Sequence, residues 1–374
     1  MSLLGIRLQI LIGAIVPANP PPHVSEALQS VQVTHQDQGR SGFQLTFQIG
    51  RGMRDLMDYG LVQEPLLKPF HRVILVATFN ATLRVLMDGI ITNQQFSPSN
   101  QLGASTLTVT GEDVSVMLDL EEKLQSYPNQ SDDAIVNALI GPYAVQYGLR
   151  ADVHPPEVVN IPSLSERTST QHSTDLQHIL MLAKRHGHVF YITPGPVTHT
   201  NVAYWGPPDR QSMPQRALSM NMGPYTNVES ISFQYNAMAA NKVFFELNGE
   251  RGQTVGQSTR KPQLVRESAL LKRTVFFSGT RGLNAEQAKA EAQAMVNQSL
   301  DGVVTASGEL DTLQYGELLE PRGLVALRGV GESYDGTFYV KSVTHKINVH
   351  NGEYKQGFSL SREGVGALEQ VVRI

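Results

Sequence analysis

The sequence predicts an α+β, mainly β protein built in three parts. A β-rich region covers 1–112, a small α/β region 113–212, and a second β-rich region 213–374 with one helix at about 284–300. Three observations lead there. Apolar residues alternate with polar ones near both ends, as in Phe43, Leu45, Phe47 and Ile49, the period-two rhythm of a half-buried strand. The middle holds a well-delimited amphipathic helix, "TDLQHILMLAKRHG". An alanine-rich helix, "LNAEQAKAEAQAMVNQSL", interrupts the later strands.

Taken in order, the opening alternation of Ile6, Leu8, Ile10 and Ile12 reads as a strand, with Arg7 breaking the run a signal peptide would need. "ALQSVQVTHQ" and "GFQLTFQIG" flank the polar turn "DQGRS", a hairpin signal. Asn80-Ala81 is expected to turn one strand back on the next, and Gly111 to end "STLTVTGED". From Asp113, Val114, Met117, Leu118 and Leu124 fit a helical face. Ser131 is placed as the cap of the next helix, with Asp132 and Asp133 in its first turn, where the dipole favours anions. Thr174 and Gln177 form a capping-box pair worth about 1 kcal/mol, and Gly187 supplies the left-handed stop. Asn284 caps the alanine-rich helix, and 249–262 has the composition of a long loop.

Composition narrows the functional classes. The 374 residues carry a formal net charge of −4, which leaves no basic footprint for nucleic acid. Charged residues make up 17%, below the ~25% usual for soluble domains, as expected of a surface covered by partners. There is no cysteine, which removes disulfides, thiolate metal sites and cysteine nucleophiles. No run reaches the ~20 apolar residues of a spanning helix, so a soluble chain is expected.

Two stretches match each other. "SVQVTHQDQGRSGFQLTFQIGRG" from Ser30 and "KSVTHKINVHNGEYKQGFSLSREG" from Lys341 both run Val-Thr-His, polar turn, Gly-Phe-x-Leu, Arg and Gly. The second turn is expected to be type I′ at Asn351-Gly352. A duplicated hairpin would make His35 and His345 structural strand residues at equivalent places. His345 and His350, an odd number apart, would face opposite sides of a continuous strand and could not share a metal.

Candidate chemistry is sparse. His186 and His188 in "RHGH", together with His199, form the strongest rival reading, a metal-dependent hydrolase. His-Glu-x-x-His, Gly-x-Ser-x-Gly and a Walker loop are all missing. Glu121-Glu122 and Asp132-Asp133 are adjacent carboxylates that point in different directions on a helix. Trp205 in "AYWGPP" would centre a carbohydrate-binding reading, with packing beneath the prolines as its alternative. No catalytic, metal or cofactor residue is assigned.

Three pieces, "LMDGIITNQQF…STLTVTGEDVSVML", "STDLQHILMLAKRHGHVFYI" and "LVALRGVGESYDGTFYVKSVTHKI…YKQGFSLSREG", together resemble the late control D family. These are baseplate hub proteins of contractile phage tails, similar to the N-terminal module of type VI secretion spike proteins and to parts of extracellular contractile injection systems. The resemblance implies two tube-like β-barrel domains with the smaller domain between them, a homotrimer, and six similar β-domains around a central channel. It implies a structural, non-enzymatic symmetry adaptor between a hexameric tail tube and a trimeric spike, without cofactors. Its partners would be the tube protein, the spike and other baseplate proteins, and it would be assembled in the cytoplasm into a tail or injection particle. Type VI spike proteins continue past the hub, whereas this sequence stops at Ile374, so the spike is expected to be a separate polypeptide. No lysozyme-like segment is recognised.

Overall fold

The computed structural model describes residues 2–3, 6–14, 16–50, 59–101, 103–157, 169–247, 254–256, 259, 263–280 and 283–368. Most of the expected loop 249–262 lies outside them. In chain order the strands used below are β1 (Ile6–Gly13), β2 (Leu28–Gln36), β3 (Gly42–Ile49), β4 (Arg72–Phe79), β5 (Thr82–Ser97) and β6 (Ser105–Asp113). Then come β7 (Glu122–Tyr127), helix α1 (Asp132–Ile140), β8 (Leu149–Val153), β9 (Ser169–Thr174), helix α2 (Asp175–His186), β10 (Val189–Pro194) and β11 (Asn201–Gly206). The last part holds β12 (Gln215–Ser219), β13 (Ser230–Tyr235), β14 (Asn241–Phe245), helix α3 (Ala285–Ser299), β15 (Val304–Asp311), β16 (Leu324–Arg328), β17 (Gly336–Asn348) and β18 (Tyr354–Arg362).

The protein is mainly β, and one 13-stranded sheet runs through both β-rich regions. Its main path, after a two-residue strand at Ser2–Leu3, is β1-β4-β5-β6-β3-β2-β17-β18-β15-β13, with β16 on the first half of β17 and β12 on β16. The two matching hairpins therefore lie side by side. β2 pairs antiparallel with β17, with Thr34 opposite Thr344, His35 opposite Val343 and Val33 opposite His345. The threonine hydroxyls are 3.1 Å apart.

That juxtaposition corrects the expected duplication. Were the hairpins equivalent, the strands beyond them would follow in the same chain order. They do not: β6, paired to β3, comes after its hairpin, whereas β15, paired to β18, comes before. The register supports a different repeat, β2-β3-β4-β5-β6 matching β13-β15-β16-β17-β18 in unchanged order. β5 and β17 are both long, and each carries a one-residue irregularity against its partner, at Thr92 and at Lys341. Aligned there, Ile91 corresponds to Val340. Ile91 exchanges backbone hydrogen bonds with Phe70 and His71, and Val340 does so with Arg322 and Gly323. Phe70 and Arg322 both sit at positive φ, 67° and 69°. The same alignment equates Val73 with Val325 and Leu75 with Leu327, all buried. Carried across β3 and β15, it equates Leu28, Ser30 and Val31 with Val228, Ser230 and Ile231.

Local sequence explains most of the elements, with four corrections. Asn80 and Ala81 both take positive φ, as a tight turn matching strand twist requires. Asn351 does not; only Gly352 does, at 76°, and the Asn348 carboxamide accepts from the amides of His350 and Asn351. His350 thus lies in the turn, outside the strand. Gly111 does not end its strand but sits inside β6, opposite Phe43. The expected helix after Asp113 is a short 3-10 segment, Val114–Asp119, followed by β7, in which Leu124 is exposed. Asp113 caps that segment by accepting from the Ser115 amide, so an early cap overrides the helical spacing. Ser131 makes no side-chain cap bond. Thr174 accepts from the Gln177 amide, Gly187 closes α2 at φ 67°, and Asn284 with Gln287 makes a full capping box on α3.

Apolar packing falls into distinct cores. One gathers Leu45, Phe47, Leu75 and Val109 with Ile347 and Tyr354 from the far half. Another holds Leu310, Val325, Leu327, Val343, Phe358 and Leu360. Between them, α1 and α2 pack Ile135, Ile179 and Leu182 on Phe190 and Trp205. Small alanines, Ala288 and Ala292, let α3 seat closely over Val243 and Phe245.

Candidate functional site: a polar sheet face and its buried joints

The outward face of the joined sheet carries short uncharged polar side chains. Gln32, Thr34, Gln44, Thr46, Thr108 and Thr110 occupy the alternate positions of β2, β3 and β6. Ser342, Thr344, Ser359, Ser307 and Thr305 continue the band across β17, β18 and β15. The period-two rhythm forces this, because the intervening residues fill the cores. A depression of about 310 Å³ lies where the two halves meet, lined among others by Gln32, Gln44, Lys346 and Lys355. The lysines there are neutralised: Lys346 reaches Glu309, and Lys355 lies 2.9 Å from Glu229 and 3.1 Å from Glu353. The face therefore offers shape and hydrogen bonding with little net charge.

Buried charges hold the parts together beneath it. Arg72 meets Asp88 through two bonds of 2.6 and 2.7 Å and donates to the Tyr147 carbonyl at 3.1 Å. Asn201 donates to Asp88 and to the same carbonyl, so β4 and β5 are tied to β11. Arg322 lies 3.8 Å over the Tyr191 ring and donates to the Gln36 carbonyl and Ser41 hydroxyl. It thereby touches both β-rich halves and the α/β part. Burial lowers its pKa, opposed by Tyr191, Asp113 and other acidic neighbours. Arg210 bridges Asp301 and Glu363.

The histidines take structural positions. His35 and His345 are buried with rings 5.6 Å apart, edge to face, but they are neighbours across the joint and not equivalents. Aligned by register, His35 corresponds to Tyr235 and His345 to Phe96. His345 Nδ1 is 2.7 Å from the Tyr354 hydroxyl. Burial holds its pKa down at about 4, against ~6.5 unfolded. The unfolded chain therefore binds the proton first, so this contribution is complete above about pH 6.5 and is lost as pH falls towards 4. Asp37 acts oppositely: burial raises its carboxyl to about 6, and acidification through that range favours the folded state. Replacing His345 with Leu should shrink the stability lost between pH 7 and pH 5 by about 2 kcal/mol, read by denaturant titration at the two pH values. An unchanged difference would refute this account.

His186 closes α2 and meets Asp132 at 2.7 Å, with Arg185 on the same carboxylate. His188 is buried against Trp205, ring centroids 4.4 Å apart, and desolvation lowers its pKa to about 3. His199 sits in the turn between β10 and β11 at φ 67°. Among the described residues no three His, Cys, Asp or Glu side chains come together as a metal group. Trp205 is wholly buried, so it lines no sugar groove; it packs in the core with Ile179, Leu182 and Phe190. Asp132 is bound to His186 and Arg185, whereas a buried carboxylate oxygen of Asp133 has no hydrogen-bond partner among the described residues.

The repeat that matters was missed at the sequence level, although a signal exists. "LLKPFHRVIL" at 66–75 and "LLEPRGLVAL" at 318–327 share Leu-Leu, Pro, Val and Leu at the same spacing. "LQSVQVTHQ" and "VESISFQYN", at 28–36 and 228–236, share their alternation.

No family model and no curated protein matches this sequence. Solved structures do match in fold. A tail protein from Neisseria meningitidis is 14% identical with a TM-score of 0.67, over 97% of this chain and 98% of that one. A 43 kDa tail protein of prophage MuSo2 from Shewanella oneidensis is 14% identical with a TM-score of 0.65, over 96% and 99%. An Escherichia coli component of the type VI secretion system, described as similar to the bacteriophage T4 tail proteins gp27 and gp5, is 13% identical with a TM-score of 0.54, over 92% and 77%. The chain has the fold of phage tail and type VI spike-related proteins.

Proposed function

We propose that this chain is a structural baseplate hub of a contractile tail or injection system, a trimeric adaptor between a hexameric tail tube and a trimeric spike. The observation that carries the reading is the internal repeat: each copy holds two versions of one five-strand unit, aligned head to tail in one sheet. Three copies then present six similar units, and threefold symmetry imitates sixfold symmetry at the tube end. The tail-protein and type VI folds above supply the setting. In this reading the regions 1–112 and 213–374 are tube-like barrel domains, and 113–212 is the inserted α/β domain. The band of glutamine, threonine and serine faces the channel, where an uncharged wall neither attracts nor repels charged cargo.

The expected solution state is a trimer of the 41.1 kDa chain, alone or on mixing with tube and spike proteins, read by light scattering after size exclusion. A monomer under both conditions would sink the proposal. Chemistry is not part of this function, and replacing His186, His188 or His199 with Ala should leave assembly intact. Stoichiometric metal with an activity lost in those variants would replace the structural reading with a hydrolase.

A further inference from the structure

The register of the repeat also identifies the joint between copies. Within the chain, the edge strand of the first unit, β2, pairs with the second half of β17, residues Ser342–Asn348. The first half of β17 is already taken by β16. In the second unit, β13 corresponds to β2, and it ends the sheet: among the described residues nothing pairs with its outer edge. In the first unit, β5 corresponds to β17. Its first half, through Ile90, is taken by β4. Among the described residues no strand pairs with residues 92–97 on the side away from β6. One chain thus carries one copy of the joint made and both halves of a second copy unmade.

We infer that β13 of one copy pairs antiparallel with residues 92–97 of β5 in the next, repeating the β2–β17 joint between chains; this rests on the hub reading above. Carrying the in-chain register across the repeat gives the pairs. Thr34 opposite Thr344 becomes Gln234 opposite Gln95, Val33 opposite His345 becomes Phe233 opposite Phe96, and Gln32 opposite Lys346 becomes Ser232 opposite Ser97. The side chains suit this. Phe96 is half-buried on Tyr59 and Phe233 half-buried on Tyr334, ring centroids 4.7 and 4.5 Å apart. Each phenylalanine leaves a flank for the other, and cross-strand aromatic pairs stabilise antiparallel edges. Gln95 and Gln234 are both exposed on the outward side, where Thr34 and Thr344 meet in the existing joint. Two free edges of this kind invite uncontrolled association unless something covers them. A head-to-tail joint whose rotation closes the ring covers both at once.

The absence of cysteine makes the test direct, since opposed residues lie ~4.5–5.5 Å apart at Cα, within disulfide reach. The variant Gln95→Cys/Gln234→Cys, oxidised, should give covalent dimers and trimers that collapse to monomer on reduction. Mixing the two single variants should give a covalent dimer only. Thr34→Cys/Thr344→Cys should close within one chain, and the out-of-register Gln95→Cys/Ser230→Cys should cross-link at least tenfold less. A wild-type trimer by mass whose Gln95→Cys/Gln234→Cys variant forms no inter-chain bond would overturn this joint and leave the hub reading standing. Equal cross-linking from the out-of-register pair would overturn the register. A wild-type monomer, alone and with tube and spike proteins, would remove both.

Discussion

Replacing Asp88 with Ala should destabilise the fold by about 3–5 kcal/mol, the usual cost of stranding one member of a buried ion pair. Asp88 is 1% exposed and Arg72 5%, so water cannot take over the lost contacts. The guanidinium would keep only the carbonyls of Tyr147 and Gln146, at 3.1 and 3.4 Å, and Asn201 would lose an acceptor. Because the pair ties β4 and β5 to the turn just before β8 and to the start of β11, the α/β part should loosen before the sheet does. Hydrogen exchange would show it first in α1 and β8. The double variant Arg72→Met/Asp88→Ala removes the stranded charge and should recover at least half of the loss. A double-mutant cycle read by chemical denaturation isolates the coupling; if the two single losses simply add, the pair is not what joins these parts.

Gly111→Ala should cost about 3 kcal/mol, the upper range for forcing atoms into a packed interior. A methyl group at this position would overlap the Ile90 carbonyl and the Phe43 ring. Neither can retreat, since Phe43 is buried and Ile90 belongs to the neighbouring strand. Gly308 repeats the arrangement under Phe358, with the Ser230 carbonyl as the second obstacle, so Gly308→Ala should behave alike. Gly308 lies beside β13, and its variant should also weaken association between copies through that edge. Gly141→Ala is the contrast: its Cβ would meet nothing within 4 Å and its φ is −49°. That variant should be neutral or stabilise by up to about 1 kcal/mol, as expected where a glycine has no need of its freedom. Thermal melts of the three proteins would separate the cases, and a Gly111→Ala melt like that of Gly141→Ala would refute the packing account.

Much of the fold was legible because its signals are local. Alternation in β3 reports which side chains are buried, and the caps of α2 and α3 are decided by three or four neighbouring residues. The failures share a cause. Leu124 continued a helical spacing, but its backbone pairs with β9, a strand more than forty residues away. Gly111 marks a strand end by its letter alone, whereas Phe43 packs across the place where its side chain would be. The pair Asn351-Gly352 predicts a type I′ turn, while Asn348, three residues earlier, takes the hydrogen bonds that shape the loop.

The matching hairpins are the most instructive case. Val-Thr-His and Gly-Phe-x-Leu were real similarities, and the inference that His35 and His345 are architectural follows from their place on alternating strands. Their relationship could not be read from the letters, because identical strands can be copies of one position or partners across a boundary. By itself the sequence determined the β-rich halves, the helices that interrupt them, the inward-facing residues and the shortage of charge. Only the tertiary structure decided which strands are neighbours, which repeat is the genuine one, and which edges stay open. Pairing between strands is a long-range choice, settled by the joint fit of every register in the sheet and not by any segment alone.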